Sequence, residues 1–275
     1  MLKPETSKLR TSDHQTITFD VQSGSQRPIV LLHGLGQQRR FWDPVSAELQ
    51  DHTIIRVDQR CHGESDTPIG SDVHIARCAM DVIEIIDRID VKNPLIVGHS
   101  WGASIALSAS VQAELDALLI DGAITPLSSL GNWTDIRPRF EPPSGSFTLT
   151  DVENWLRSSG IPDFISAAKA VSHGYRTLPD GRLTTKIGLE RHMAVLDELA
   201  AYNPIEDFSK VPPLPCSVRA LIAGELTESR EKSVLDIKSV YPDLRVDVWH
   251  EAIHDVPLQF PQRIAHLIST TARGE

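Results

Sequence analysis

Gly98-His99-Ser100-Trp101-Gly102 has the form G-x-S-x-G, and it lies between the apolar run Leu95-Ile96-Val97 and an alanine-rich stretch that begins at Ala103. A serine on a sharp turn between a strand and a helix stands exposed at the end of a sheet, where its hydroxyl can attack a carbonyl carbon. The turn crowds its own neighbours, so the positions two residues to either side must carry almost no side chain; Gly98 and Gly102 meet that need. A serine hydroxyl is a weak nucleophile at neutral pH until an imidazole takes its proton. Two late histidines compete for that task. His250 directly follows the strand-like run Arg245 to Trp249, and His254 stands four residues further on, ahead of Val256-Pro257-Leu258-Gln259-Phe260-Pro261.

Three further segments bear on the chemistry. His33-Gly34-Leu35-Gly36 follows the apolar run Ile29 to Leu32, and its glycines let backbone N–H groups point into a pocket without obstruction. Asp58-Gln59-Arg60-Cys61-His62-Gly63-Glu64-Ser65 ends the next strand. Gly224-Glu225-Leu226-Thr227 closes a late strand, and Leu119-Ile120-Asp121-Gly122 an earlier one.

Together these segments resemble the α/β-hydrolase family, over about Thr16 to Ala123 and from Val218 to the carboxyl terminus. The resemblance implies Ser100 as nucleophile, His254 rather than His250 as its base, and the amides of Leu35 and Trp101 as the oxyanion hole. It implies that His33, Asp58 and Arg60 brace loops. The segment departs from the family at Cys61, where glycine is usual, and its thiol is expected near the approach to the active site. The position where most relatives carry the triad acid, three residues past Gly224, holds Thr227. Some relatives carry the acid one strand earlier, which corresponds to Asp121; Glu225 and Glu228 stay as alternatives.

Elements must position these residues. Strand-length apolar runs occur at Ile17 to Val21, Ile29 to Leu32, Thr53 to Val57, Leu95 to Val97, Ala117 to Ile120, Arg219 to Ala223 and Arg245 to Trp249. Several are apolar on both faces, as in a parallel sheet covered by helices on each side. Helices are expected at Val73 to Ile89, Ala103 to Gln112, Glu231 to Val240 and Gln262 to Thr271, the first with Val73, Ala76, Met80, Ile83 and Ile86 inward and Ser71 or Asp72 as cap. The predicted class is α/β, a doubly wound and mostly parallel sheet, with residues 1–124 and 216–275 as the core. Residues 125–215 break the rhythm and are expected to form an inserted helical cap, with Trp133 and Trp155 shaping the pocket and Pro212 to Pro215 as a stiff return.

Composition bounds the function. The 275 residues suit one domain with an insertion, and 40 % hydrophobic with 23 % charged residues is an ordinary globular mixture. A net charge of −10 opposes attraction to nucleic acid or an anionic membrane surface. The polar amino terminus and the lack of a long apolar run predict neither secretion nor a membrane anchor, so the cytoplasm is expected. Cys61, Cys78 and Cys216 have neither disulfide nor zinc spacing. The expected function is hydrolysis of a small ester, lactone or thioester through an acyl-enzyme, with no metal or organic cofactor required and self-association left open. Perhydrolysis, cofactor-free oxygen chemistry or carbon–carbon cleavage on the same fold, and a slow-turnover ligand-binding receptor, are the rival readings.

Overall fold

The computed structural model describes residues 4–66, 72–142 and 145–275. In chain order the strands are β1 (Glu5–Arg10), β2 (Thr16–Gln22), β3 (Gln26–Leu32), β4 (His52–Asp58), β5 (Leu95–His99), β6 (Ala117–Ile120), β7 (Tyr175–Thr177), β8 (Leu183–Thr185), β9 (Val218–Ala223) and β10 (Arg245–Trp249). Eight of them form one sheet in the order β1-β2-β4-β3-β5-β6-β9-β10, while β7 and β8 pair separately. The sheet is parallel from β4 through β10, and β2 is antiparallel to both β1 and β4. All seven expected runs are strands of this sheet. The eighth, β1, escapes an apolar reading because its residues are alternately exposed and half-buried, with Leu9 the single apolar side chain of an edge strand.

The helices are α1 (Asp43–Ser46), α2 (Ile75–Arg88), α3 (Trp101–Ala113), α4 (Trp133–Ile136), α5 (Leu149–Ser158), α6 (Phe164–Ser172), α7 (Leu189–Ala201), α8 (Pro204–Phe208), α9 (Glu228–Val240), α10 (Val256–Gln259) and α11 (Pro261–Ala272). Successive residues of a strand face opposite sides. Val30 and Leu32 therefore join a core with α2, α3 and α9, whereas Ile29 and Leu31 join another with α11. Burial on both faces is why the central strands read as unbroken apolar runs. Among the described residues, no helix is long and apolar enough to cross a membrane.

Helix α2 turns inward only part of the expected face: Ile86 is buried, and Val73 and Ile83 pack half-buried against the core. Ile75, Cys78, Ala79, Val82, Ile85 and Ile86 are buried, while Ala76 is exposed and Met80 and Ile83 are half-buried. The inner face also holds Asp81, which takes both arms of the buried Arg60 guanidinium at 2.6 and 2.7 Å. A charged residue on the core side disguises the apolar stripe. Asp72 accepts the His74 amide at 2.9 Å just before the helix; Ser71 lies outside the described residues.

Chain direction across the sheet reverses at β3 and β5, and in such sheets ligands bind outside the carboxyl ends at that point. The loop after β3 and the turn after β5 therefore meet. The described residues of 125–215 contribute no strand to the large sheet; they fold as α4 to α8 and the β7–β8 hairpin, between β6 and β9.

The meeting requires backbone where side chains would stand. A Cβ on Gly98 would lie 2.1 Å from the Gly102 carbonyl oxygen, and one on Gly102 would lie 2.5 Å from that of Leu32. Gly98→Ala is expected to cost about 3 kcal/mol or more in urea unfolding, because rigid backbone cannot yield. Gly160→Ala, at φ +83° with open space around it, should cost only about 1 kcal/mol, from backbone strain alone. Equal unfolding midpoints for the two variants would contradict the close approach.

Candidate active site

Ser100 is the residue between β5 and α3, with φ 55° and ψ −120°, a region that costs a non-glycine residue about 1–3 kcal/mol. The turn is held by neighbours on both sides: the Ser100 amide donates to the Ile120 carbonyl at 3.0 Å, and a Cβ on Gly122 would lie 2.1 Å from the Ser100 carbonyl oxygen. His99 and Ile120 are paired across β5 and β6, so the residues that follow them, Ser100 and Asp121, leave the sheet side by side. Asp121 has φ 44°, which a short polar side chain tolerates better than most.

His254 joins the two. Its Nε2 lies 3.0 Å from Ser100 Oγ and its Nδ1 2.6 Å from Asp121 Oδ2. Since a carboxylate only accepts, Nδ1 carries the proton and Nε2 offers its lone pair to the serine hydroxyl. The Asp121 side chain is 5 % exposed, whereas the His254 ring is 57 % exposed. Burial raises the Asp121 pKa, but the hydrogen bond and charge of His254, the Ala223 amide and Arg230 outweigh it and hold the carboxyl below its ordinary range. Loss of hydration lowers the His254 pKa, and the hydrogen bond and charge of Asp121, aided by Asp255, overcome it and leave the imidazole above its ordinary 6.5.

Sequence reasoning passed over two supports of this line. The first is His99, buried and stacked on Phe41, whose Nε2 lies 2.8 Å from the His254 carbonyl oxygen and so must donate to it. Burial drives its pKa down to about 3, so the ring stays neutral. The second is Arg230, on the first turn of α9. Its Nη2 lies 3.1 Å from Asp121 Oδ1, and its Nη1 donates to the Ala223 carbonyl at 2.6 Å. Thr227, at the usual acid position, caps that helix by accepting the Arg230 amide. The threonine marks a helix start in the sequence, but nothing there marks Arg230 as a partner of Asp121.

The other acid candidates lie apart from the histidine. The Glu225 carboxylate is 80 % exposed and 3.5 Å from His250, itself 63 % exposed, and Glu228 starts α9 in solvent. The structure thus brings together Ser100, His254 and Asp121 and leaves His250, Glu225 and Glu228 outside.

The loop after β3 is fixed by a pair of neutral histidines. His33 Nδ1 donates to the Gly34 carbonyl at 2.8 Å and Nε2 accepts the Gln59 amide at 3.2 Å. His62 Nδ1 donates to the Arg60 carbonyl and Nε2 accepts the Gly36 amide at 3.0 Å, with burial lowering its pKa to about 4. The Gly36 amide is therefore spent. The amides of Leu35 and Trp101 donate to no protein atom among the described residues. Asp58 and Arg60 are buried in ion pairs with Arg39 and Asp81. Cys61 is 2 % exposed, its thiol pKa raised by burial, and it is not among the residues that line the cavity at Ser100.

That cavity, of about 400 Å³, has Ser100, Asp121 and His254 in its wall. Leu35 and Ile222 come from the sheet side, and Phe140, Leu196, Leu199 and Tyr202 from the insertion. Trp133 and Trp155, expected here, line none of it: Trp133 donates to Asp197 and packs on Phe140, and Trp155 is 51 % exposed on α5. Helix α7 supplies the apolar wall with leucines that a search for aromatic residues overlooks.

Comparisons with known proteins agree with this architecture. Residues 29–267 match the model of the alpha/beta hydrolase family. A Bacillus subtilis (strain 168) protein named "Putative 2-succinyl-6-hydroxy-2,4-cyclohexadiene-1-carboxylate synthase" is 24 % identical over 262 residues, which cover 91 % of this chain and 92 % of that one. Among solved structures, E-2-(acetamidomethylene)succinate hydrolase superposes with a TM-score of 0.79 at 20 % identity, covering 98 % of both chains. An esterase of M. tuberculosis gives 0.75 at 16 % identity, covering 98 % of this chain and 92 % of that one. With the family model spanning most of the chain and the strand order described above, the chain belongs to the alpha/beta hydrolase family.

Proposed function

We propose that this protein is a serine hydrolase that cleaves a small ester, lactone or thioester through an acyl-enzyme. The observation that carries the reading is the hydrogen-bonded line Ser100–His254–Asp121 at the wall of an apolar cavity. Ser100 Oγ attacks the substrate carbonyl while His254 Nε2 takes its proton, and the buried Asp121 carboxylate stabilises the imidazolium that forms. The unspent amides of Leu35 and Trp101 receive the oxyanion. Collapse of the tetrahedral intermediate breaks the carbonyl–leaving-group bond, and His254 returns the proton to the departing alkoxide or thiolate. Water, deprotonated by the same imidazole, then releases the acid and restores Ser100.

The substrate class follows from the walls. A cavity of about 400 Å³ bounded by leucines, Phe140 and Tyr202 suits a modest apolar acyl group. The named activities of the relatives differ in reaction, a synthase, a hydrolase and an esterase, so the acyl pocket rather than any relative's name supports the choice. In this reading residues 125–215 are a cap that selects the acyl group.

Two experiments test the reading. With p-nitrophenyl butyrate, Ser100→Ala should abolish turnover. In the native enzyme kcat/KM should rise with pH through an inflection above 6.5, because the base works only when neutral and its pKa is raised. Asp121→Asn removes the cause of the rise, so the inflection should fall and kcat drop by about 10⁴-fold; an active variant with the native profile would refute the acid's role. Separately, Leu199→Phe should lower the octanoate-to-acetate rate ratio by about tenfold while Trp155→Ala leaves it alone. The reverse pattern would move the acyl pocket elsewhere.

A further inference from the structure

Asp121 uses its two oxygens differently. Among the described residues Oδ2 meets only His254, whereas Oδ1 accepts the Ala223 amide at 3.0 Å and lies 3.1 Å from Arg230 Nη2. The guanidinium is itself tied down, donating through Nη1 to the carbonyls of Ala223 at 2.6 Å and Glu225 at 3.3 Å. Its side chain is 24 % exposed, and Arg230 lines the same cavity as Ser100 and His254. Thr227 is the helix cap that precedes this cation by three residues.

We propose that Arg230 is a positioning residue of the site, clamping Asp121 through Oδ1 so that Oδ2 alone is presented to the imidazole. The inference rests on the reading of Asp121 as the acid. Without the clamp the Ala223 amide alone would hold Oδ1, and the carboxylate could rock about that single contact and hold the imidazole less firmly toward Ser100. The cation has a second consequence. A fixed positive charge next to the carboxylate opposes a further positive charge on the ring, so Arg230 limits how basic Asp121 makes His254. Among the described residues, the charged and titratable groups around the ring are Asp121 from the turn after β6, Arg230 from α9, His99 from β5 and Asp255 of its own loop. Arg230 and Asp121 form the ion pair among them that can be altered without touching the serine or the histidine.

The test compares Arg230→Met, Arg230→Gln, Arg230→Lys and Asp121→Asn by pH profiles of kcat and KM with p-nitrophenyl butyrate. Arg230→Met and Arg230→Gln should move the kcat/KM inflection toward alkaline pH by about 0.5 or more. They should also lower kcat by about tenfold, with KM changed less than about twofold. Arg230→Lys keeps the charge and should return the inflection to the native position with only part of kcat, because an ammonium lacks the fork that reaches Ala223 and Asp121 together. A merely structural arginine would alter the unfolding midpoint while the profile stayed in place. If Asp121→Asn collapses but both neutral Arg230 variants keep the native inflection and kcat, the clamp is wrong and the acid stands. If Asp121→Asn is fully active, the acid reading fails and the clamp with it. Should Arg230→Met not fold, Arg230→Gln, which keeps a donor for the Ala223 carbonyl, decides alone.

Discussion

The close approach of three chain segments at the carboxyl ends of β3, β5 and β6 governs this site. Gly102 lies against the Leu32 and His33 carbonyls, Gly98 against Gly102, and Gly122 against the Ser100 carbonyl. Each approach is closer than any side chain permits, so the three loops share one small region. The loop after β3, Ser100 and Asp121 are thereby set by backbone packing rather than by long flexible side chains. Functional groups mounted this way need little reorganisation when charge develops.

Electrostatics then divides the polar groups into two sets. His33, His62 and His99 are buried, have lowered pKa values and act as neutral braces for the loops. His254 differs because a desolvated carboxylate faces its Nδ1 and lifts its pKa. Of the four histidines at these turns, His254 is the one that lies between a carboxylate and a serine hydroxyl. Asp121 can carry its charge at 5 % exposure because the Ala223 amide, Arg230 and His254 all donate to it.

Much of this was legible in the residues. Apolar runs on both faces mark the parallel strands, and the pair of glycines around Ser100 marks the turn, because each is a local demand of backbone geometry. The choice of His254 over His250 came from the resemblance, which places the histidine in a loop ahead of a Pro-containing helix start. What stayed hidden depends on tertiary partners. Edge strand β1 needs one neighbour and little apolar content. The inner face of α2 contains Asp81 because Arg60 arrives from a distant loop. Arg230 is unremarkable in sequence until α9 folds and brings it against Asp121, 109 residues away. The cavity wall was misassigned to tryptophans, since size and aromaticity do not tell which face of an insertion turns inward.

Covalent chemistry at Ser100 is the claim on which the rest depends, and a pre-steady-state experiment addresses it most directly. Mixing the enzyme with excess p-nitrophenyl ester should give a burst of close to one nitrophenolate per chain before the linear phase, if deacylation is slower than acylation. Acid quenching in the burst, followed by peptide mass analysis, should then place the acyl mass on the peptide that contains Ser100. A burst with no acyl mass on the peptide that contains Ser100, or an adduct on another residue such as Cys61, would contradict the account.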